Sequence, residues 1–263
     1  MNNNEIQIYS NNKKSGVKVF VADNYETLSA KAAAVMADVI KADPKCILGL
    51  ATGSSPIGLY DELIRLNKEN AISFADVKTY NLDEYYPLAA ENDQSYRYFM
   101  NEHLFNHVDI DIANTHVLNG LAEDWQKECA DYDLAIENAG GIDIQLLGIG
   151  NNGHIGFNEP GRDFIRGTHR VELTESTITA NSRLFNSIDE VPRAALTMGV
   201  GNIMAAKKVL LVANGPKKAQ AIKDTLEGEI TPYCQASLLQ LHPDVTFVID
   251  KEAAALLTEY KPL

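Results

Sequence analysis

The sequence predicts an α/β fold, in which a doubly wound and mainly parallel sheet carries helices on both of its faces. Short apolar runs of strand length alternate with longer segments of helical periodicity along nearly the whole chain. Several short runs are apolar throughout, which is typical of strands buried on both faces of a parallel sheet. The length of 263 residues suits one such domain, and the 45% apolar and 22% charged residues exclude a disordered chain.

The elements can be placed in order from these two periods. The predicted strands are Val17–Ala22, Cys46–Ala51, Val77–Asn81, Ile142–Ile149, Val209–Ala213 and Val245–Ile249. The predicted helices are Tyr25–Lys41, Pro56–Asn67, Ser95–Phe105, a segment from Trp125 to Gly140, Pro216–Leu226 and Glu252–Leu257. Asp23, with Glu26 three residues later, predicts the cap of the first helix. Residues 1–16 are predicted to form a polar tail or a short edge strand, and residues 17–263 a single α/β domain.

The composition excludes several classes of partner. The 36 Asp and Glu residues exceed the 23 Lys and Arg residues, which gives a formal net charge of −13. Such a field repels nucleic acids and anionic membranes, so an anionic ligand needs a local site. Three widely spaced cysteines, Cys46, Cys129 and Cys234, predict reduced thiols in the cytoplasm. The polar N-terminus lacks an apolar signal region, and no apolar run has the length of a membrane span.

The turn after the second predicted strand has the features of a phosphate site. Thr52, Gly53, Ser54 and Ser55 follow this strand and lead into a helix. Glycine permits a tight turn, and the free N–H groups and the dipole of a helix start favour an anion. The alternative is an ordinary helix cap. The absence of a following Gly-Lys-Ser/Thr excludes a nucleotide-binding P-loop.

A second strand end of this kind follows Val209–Ala213. Gly215 and Pro216 lead into a helix whose first turn carries Lys217 and Lys218. A lysine at that position opposes the helix dipole unless an anion binds there. Taken alone, the pair also fits two solvated lysines.

Two further strand ends carry acid–base groups. Asp83 and Glu84 follow Val77–Asn81, where a carboxylate is a candidate general base or else a solvated or capping residue. The glycine-rich run after Ile142–Ile149 contains His154 and Glu159. A histidine on such a loop is an acid–base candidate near neutral pH, the alternative being a core or capping histidine.

No pattern in the sequence indicates a metal or an organic cofactor. There is no HExxH motif, no GxGxxG fingerprint after a strand and no GxSxG elbow. Two candidate anion sites beside Asp83, His154 and Glu159 therefore predict cofactor-free proton transfer on a phosphorylated small molecule.

Six segments together resemble the glucosamine-6-phosphate deaminase family. In chain order they read LGLATGSSPIGLY, YNLDEYYPL, LLGIGNNGHIGFNEP, ANSRLF, ALTMGVGNIM and GPKKAQAI, within residues 17–257. GHIGFNEP and LDEY are specific in combination, whereas TGSSP alone is not. The resemblance implies the Rossmann-like fold of a superfamily that also contains the 6-phosphogluconolactonases.

The resemblance also implies an activity and a set of residues. Glucosamine 6-phosphate and water would give fructose 6-phosphate and ammonia, in amino sugar catabolism, without a metal or an organic cofactor. The phosphate-binding residues would be Thr52, Gly53, Ser54, Ser55, Arg183 and Lys218. Asp83 would carry a proton from C2 to C1 through an enolamine, and His154, positioned by Asn152 and Glu159, would assist ring opening. A homo-oligomer stays an open option.

Position 152 departs from the family pattern, and two other functions stay open. The residue before Gly153 is often Asp in the family and is Asn152 here, which can orient an imidazole but cannot stabilise imidazolium by charge. The alternatives are a lactonase of the same superfamily and a non-catalytic sugar-phosphate sensor. Tyr85 and the Asn158-Glu159-Pro160 run favour the deaminase over the lactonase, and the acid–base residues argue against a sensor.

Overall fold

Two sheets and seven α-helices account for most of the regular structure in the described part of the chain. The computed structural model describes residues 7–10, 16–182, 185 and 187–262. The strands are β1 (Gln7–Ser10), β2 (Val17–Ala22), β3 (Ile47–Leu50), β4 (Lys78–Asn81), β5 (Asp83–Tyr86), β6 (Thr115–His116), β7 (Ile144–Leu147), β8 (His169–Glu172), β9 (Ala194–Thr197), β10 (Lys208–Ala213), β11 (Val245–Asp250) and β12 (Lys261–Pro262). The α-helices are α1 (Tyr25–Ala42), α2 (Ile57–Lys68), α3 (Tyr96–His103), α4 (Trp125–Ala139), α5 (Glu175–Asn181), α6 (Val200–Ala205) and α7 (Ala219–Glu227). Short 3-10 helices cover Phe105–His107, Ile112–Asn114, Ile188–Glu190, Pro216–Lys218 and Gln235–Leu241.

The main sheet is mainly parallel, as the sequence predicts. Its described strands have the order β12-β1-β2-β11-β10-β7-β3-β4-β6, and only the pairs that involve β1 are antiparallel. A strand within the polar N-terminal segment, Gln7–Ser10, therefore joins the sheet, which is one of the two options that the sequence left open.

The direction of the chain across this sheet reverses between β3 and β7. From β3 the chain moves to β4 on one side, and from β7 it moves through β10 to β11 on the other. Right-handed crossovers then place α1 and α2 on one face and α4 and α7 on the opposite face. At such a reversal, the carboxyl ends of the two central strands form the crevice in which ligands of open α/β sheets bind.

The start of α1 corrects one detail of the sequence prediction. Asn24, and not Asp23, caps the helix: its side-chain oxygen accepts a hydrogen bond from Thr27 N at 2.8 Å. Asp23 lies outside the helix and pairs with Lys251 at 2.6 Å. Either side chain could serve as a cap, and the extended backbone of Asn24 decides between them.

The prediction of a helix over Glu252–Leu257 is wrong. The chain forms successive turns there, with one hydrogen bond four residues back, from Ala254 N to Asp250 O, followed by bonds three residues back, as from Leu257 N to Ala254 O at 3.0 Å. The carboxylate of Glu227 accepts from Thr258 N at 2.7 Å and Glu259 N at 2.6 Å. These bonds direct the chain toward the end of α7, so a regular helix does not form.

A second sheet, with the order β5-β9-β8, is not foreseen by the sequence analysis. Both of its strand pairs are antiparallel, and Asp83 stands opposite Thr197. A small core lies against this sheet and is separate from the large core between the main sheet and its helices. Its buried side chains are Tyr85, Phe157, Leu173, Ile178, Val191 and Ala195. Asp83 is therefore the first residue of a strand rather than part of a turn.

Two negative findings apply to the described residues. None of the helices in this part of the chain combines the length and the apolar character needed to cross a membrane. No group of three or more His, Cys, Asp or Glu side chains there could hold a metal ion.

Candidate active site

Four neighbouring strands of the main sheet bring the predicted site residues to one edge. The 52–55 turn follows β3, the 150–154 loop follows β7, Asn214 follows β10, and Asp83 lies two residues after β4. Because β10, β7, β3 and β4 are adjacent and parallel, their carboxyl ends open into the same crevice. The structure thus assembles from distant segments the groups that the sequence singles out one at a time.

The 52–55 turn offers free N–H groups. Gly53 has a φ of +109° and open space where a side chain would stand. Among the described residues, nothing accepts a hydrogen bond from the backbone N–H groups of Gly53, Ser54, Ser55 or Ile57. Several unoccupied peptide donors beside the start of α2 form a concave site suited to an anion.

The end of β10 is tied directly to this turn. Ser55 Oγ donates a hydrogen bond to Asn214 Oδ1 at 2.7 Å. The next residue, Gly215, has a φ of +86°, and its N–H bonds Asp250 Oδ2 at 2.8 Å. The two strand ends that the sequence marks as anion-friendly are therefore neighbours, and Asn214 is a contact residue that the sequence analysis did not single out.

Of the two predicted cationic groups, Lys218 and Arg183, the structure describes only Lys218. Lys218 ends the 3-10 turn before α7 and is half-buried. Burial lowers the pKa of its ammonium group, and the neighbouring charge of Lys217 lowers it further. Within the described residues, Lys218 has no carboxylate partner, so its charge is available to an anion. Arg183 lies outside the described residues.

Asp83 is a buried carboxyl group beside the glycine-rich loop. A side-chain carbon at Gly156 would lie 3.6 Å from Asp83 Oδ2 and 2.8 Å from Thr197 Oγ1, so only glycine lets the loop pass this close. No described residue donates a hydrogen bond to the carboxyl group of Asp83. Burial therefore raises its pKa to about 8, and the charge of Glu84 contributes in the same direction.

Glu84, the next residue, has a different position. Its carboxylate accepts hydrogen bonds from Tyr96 N at 2.9 Å and Arg97 N at 3.0 Å, in the first turn of α3. It also accepts from Tyr85 N at 2.8 Å. Burial raises the pKa of Glu84 to about 7, although these N–H groups act in the opposite direction. Glu84 is thus committed to capping α3, and Asp83 alone faces the loop.

His154 stands over the backbone of its own loop. A side chain at Gly150 would come within 2.3–2.5 Å of three atoms of the imidazole ring, so glycine is needed for the ring to lie there. Its Nδ1 atom is 3.3 Å from Glu159 Oε2. The imidazole is about a quarter exposed, with 26% of its surface accessible, whereas Glu159 retains 10%. The ring can therefore reach a ligand in the crevice.

Glu159 is surrounded by donors. Asn152 Nδ2 donates to Oε2 and Thr177 Oγ1 donates to Oε1, both at 2.8 Å. Burial by itself raises the pKa of this carboxyl group, but His154, Thr177 and Asn152 together outweigh burial and lower it to about 2. Glu159 is thus ionised throughout the physiological range.

The role implied for Asn152 needs a correction. Its side-chain amide does not bond the imidazole; it bonds Glu159, and its oxygen accepts from the backbone His154 N at 3.2 Å. Asn152 therefore orients the carboxylate that faces the ring, and no charge on residue 152 is required for that. Thr177, on α5, was missed because nothing in its local sequence signals a contact across 18 residues.

The comparisons with known proteins agree on one group. The family described as glucosamine-6-phosphate isomerases/6-phosphogluconolactonase matches residues 22–246. The glucosamine-6-phosphate deaminase of Thermoanaerobacter pseudethanolicus is 53% identical over 243 residues, which cover 92% of this chain and 96% of the relative. The deaminase of Clostridium perfringens is 53% identical over 241 residues, covering 92% of this chain and 100% of the relative.

Solved structures extend the comparison to the fold. A monomeric glucosamine-6-phosphate deaminase is 48% identical, has a TM-score of 0.88 and is matched over 91% of this chain and 99% of its own. A 6-phosphogluconolactonase from Thermotoga maritima has a TM-score of 0.70 over 89% of this chain and 100% of its own, at 19% identity. The second likeness concerns the fold alone.

Proposed function

Because this chain belongs to the family of glucosamine-6-phosphate isomerases and 6-phosphogluconolactonases, we propose that it is the deaminase member of that family. It converts glucosamine 6-phosphate and water into fructose 6-phosphate and ammonia. The relatives named as deaminases match it over nearly their whole length at about half identity, whereas the lactonase likeness is limited to the fold.

One observation in the structure carries the assignment. Two carboxyl groups reach the same crevice with pKa values displaced in opposite directions, to about 8 for Asp83 and to about 2 for Glu159. Pairs of titratable groups that are driven apart in this way mark acid–base sites. A free anion site beside them matches a substrate that carries a phosphate group away from its reacting carbons.

Substrate binding falls to the turn after β3. Its free N–H groups, including that of Ser55, and the hydroxyl groups of Thr52 and Ser54 bind the phosphate, and Lys218 supplies a positive charge. The family resemblance adds Arg183 to the phosphate-binding residues. Binding energy from this remote group orients the sugar for the chemical steps.

Ring opening falls to His154. Its partly exposed imidazole moves a proton between the ring oxygen and the anomeric hydroxyl group, and the carboxylate of Glu159 lies 3.3 Å from its Nδ1 atom. Asn152 and Thr177 keep Glu159 in place. The charge needed beside the imidazole comes from Glu159, so Asn152 is compatible with turnover.

Proton transfer between C2 and C1 falls to Asp83. The carboxylate removes the C2 proton of the open-chain sugar, which gives an enolamine, and returns it to C1 to form an imine at C2. Water then hydrolyses the imine and ammonia leaves. A base with a pKa of about 8 is well matched to this task near neutral pH, and the cationic amino group of the substrate favours its ionised form.

A single assay tests the function. Ammonia release is measured from glucosamine 6-phosphate, with 6-phosphogluconolactone hydrolysis measured in parallel under the same conditions. Ammonia release with no lactone hydrolysis is the expected result. Lactone hydrolysis without ammonia would establish the lactonase, and binding of sugar phosphate without turnover of either compound would establish the sensor.

Two further predictions accompany the function. Cys46, Cys129 and Cys234 are free and buried, which supports a location in the reducing cytoplasm. Self-association stays an open prediction, and the related solved deaminase is monomeric. Equilibrium sedimentation of the purified chain decides between a monomer and a homo-oligomer.

A further inference from the structure

Tyr25, which lies outside the 52–55 turn, forms hydrogen bonds with the backbone of that turn. Tyr25 is the first residue of α1, and its phenol oxygen accepts a hydrogen bond from Gly58 N at 2.9 Å. The same hydroxyl group lies 3.0 Å from each of the carbonyl oxygens of Ser54 and Ser55, to which it donates. One hydroxyl group therefore connects α1 with both the turn and the first turn of α2.

This contact decides which backbone groups face an anion. In a planar trans peptide, the C=O of Ser54 and the N–H of Ser55 point in opposite directions. Because Tyr25 attracts the C=O of Ser54, the N–H of Ser55 points away from Tyr25. Two nearby backbone groups provide no hydrogen-bond donor for an anion. Pro56 has no N–H, and the N–H of Gly58 already donates to the phenol oxygen of Tyr25. Of the free donors of the turn, the N–H of Ser55 is thereby left on the side opposite Tyr25.

The packing of α1 on α2 leaves no room for another arrangement. A side-chain carbon at Gly58 would come 3.0 Å from Tyr25 Cε1 and 2.4 Å from Ser29 Oγ. Glycine is a poor helix former, and here its presence allows the phenol to reach the helix start. The contact between α1 and the start of α2 thus depends both on the glycine at position 58 and on the hydroxyl group of Tyr25.

We propose that Tyr25 is a positioning residue for the phosphate group of the substrate. It touches no substrate atom. Its hydroxyl group draws the carbonyl oxygens of the turn away from the anion and directs the free N–H groups toward it. The inference rests on the proposed function, because it concerns how that same site binds its substrate.

The test removes only the hydroxyl group, by Tyr25→Phe. We expect the KM for glucosamine 6-phosphate to rise about three- to tenfold, which corresponds to the loss of one net hydrogen bond. The kcat should stay within about twofold of the parent value. The Kd for inorganic phosphate, titrated calorimetrically without sugar, rises by a similar factor. Lost folding stability alone would not move KM and the phosphate Kd together while sparing kcat.

Two more variants sharpen the test. Tyr86→Phe is the matched control, since Tyr86 also donates one phenol hydrogen bond, to Ala122 O at 3.0 Å, but lies away from the turn. It should leave KM and the phosphate Kd unchanged. Gly58→Ala adds a methyl group 2.4 Å from Ser29 Oγ and 3.0 Å from Tyr25 Cε1, so it separates α1 from the start of α2 and should raise both constants as Tyr25→Phe does.

The outcomes separate the inference from the function on which it rests. If the parent releases ammonia and Tyr25→Phe leaves KM and the phosphate Kd unchanged, whatever its melting temperature, the inference is overturned and the function stands. An equal effect of Tyr86→Phe overturns it as well. If the parent releases no ammonia but Tyr25→Phe still weakens phosphate binding, the proposed function fails and the positioning role stands.

Discussion

Asp83 and Glu159 are two carboxyl groups at the same crevice in opposite surroundings. Asp83 begins a strand of the second sheet, where burial acts on it without any donor from the described residues, and its pKa rises to about 8. Glu159 ends a glycine-rich loop, where two side-chain donors and the imidazole of His154 lower its pKa to about 2. The comparison shows that donors can outweigh burial, so that a largely buried carboxyl group keeps its charge.

The same comparison explains why the two carboxyl groups have different roles. A group that exchanges its proton near neutral pH can act as a base, whereas a permanently ionised group can only hold and stabilise a neighbour. Glu84 differs from both groups: burial raises its pKa to about 7, but two N–H groups of α3 and the N–H of Tyr85 hold its carboxylate at the start of α3. Four predictions follow this contrast from the largest expected effect to the smallest.

The first prediction concerns the base. Asp83→Asn keeps the shape of the side chain and removes its ability to take a proton, so ammonia release should fall about 10²–10⁴-fold. The phosphate Kd should change little. Asp38→Asn, at an exposed position on α1, serves as the control and should match the parent. Near-parental activity of Asp83→Asn would refute the assignment of the base.

The second prediction concerns the group that Glu159 supports. His154→Gln should lower kcat about 10²-fold on the cyclic substrate, because ring opening loses its proton carrier. Binding of an open-chain analogue should be affected little. His107→Gln, which replaces an exposed histidine at the end of a 3-10 helix, is the control. Equal rates for His154→Gln and the parent would contradict the ring-opening role.

The third prediction separates the phosphate side of the crevice from the acid–base side. Lys218→Ala should raise KM for glucosamine 6-phosphate by about tenfold or more with a smaller change in kcat, since a charge-assisted contact is worth about 1.5–3 kcal/mol. Lys217→Ala removes the exposed neighbouring lysine and should have little effect. Free glucosamine should be a very poor substrate for all three proteins, and comparable turnover of the two sugars would disprove the anion site.

The fourth prediction tests the opposite pKa displacements through stability. The pKa of Asp83 is raised from 3.8 to about 8, so the unfolded chain releases this proton more easily, and Asp83 weakens the fold as pH rises through that range. The pKa of Glu159 is lowered from 4.5 to about 2, so its stabilisation is complete above pH 4.5 and is lost as pH falls toward 2.

Thermal unfolding between pH 2 and 8 measures both effects. Asp83→Asn should melt above the parent at pH 7, by a margin that shrinks as pH falls, whereas Glu159→Gln should melt below it. Glu91→Gln, at an exposed position, should follow the parent at every pH. A parallel shift of Asp83→Asn and Glu159→Gln in one direction would break the contrast between the two groups.

Much of the main sheet could be predicted because its signals are local. An unbroken apolar run indicates a strand buried on both faces; β3 and β7 lie within the runs that predict them, and β10 and β11 each extend one residue beyond theirs. Trp125, Cys129, Tyr132 and Ile136 have the spacing of one helix face, and on α4 the last three are buried while Trp125 is partly buried. The second sheet escaped prediction because its strands have only four residues each and because β5 pairs with β9, which lies over a hundred residues away along the chain.

The sequence by itself determined the alternation of strands and helices, the glycine-bearing turns at the strand ends and the list of groups able to move protons. These depend on periodicity and on the residue types that a turn tolerates, so they can be read within a few neighbours. Only the tertiary structure decided that Asp83 and not Glu84 faces the loop, that Asn152 bonds Glu159, and that Tyr25 supports the 52–55 turn. Those outcomes depend on which donors and how much water reach a side chain, and residues far away along the chain supply both.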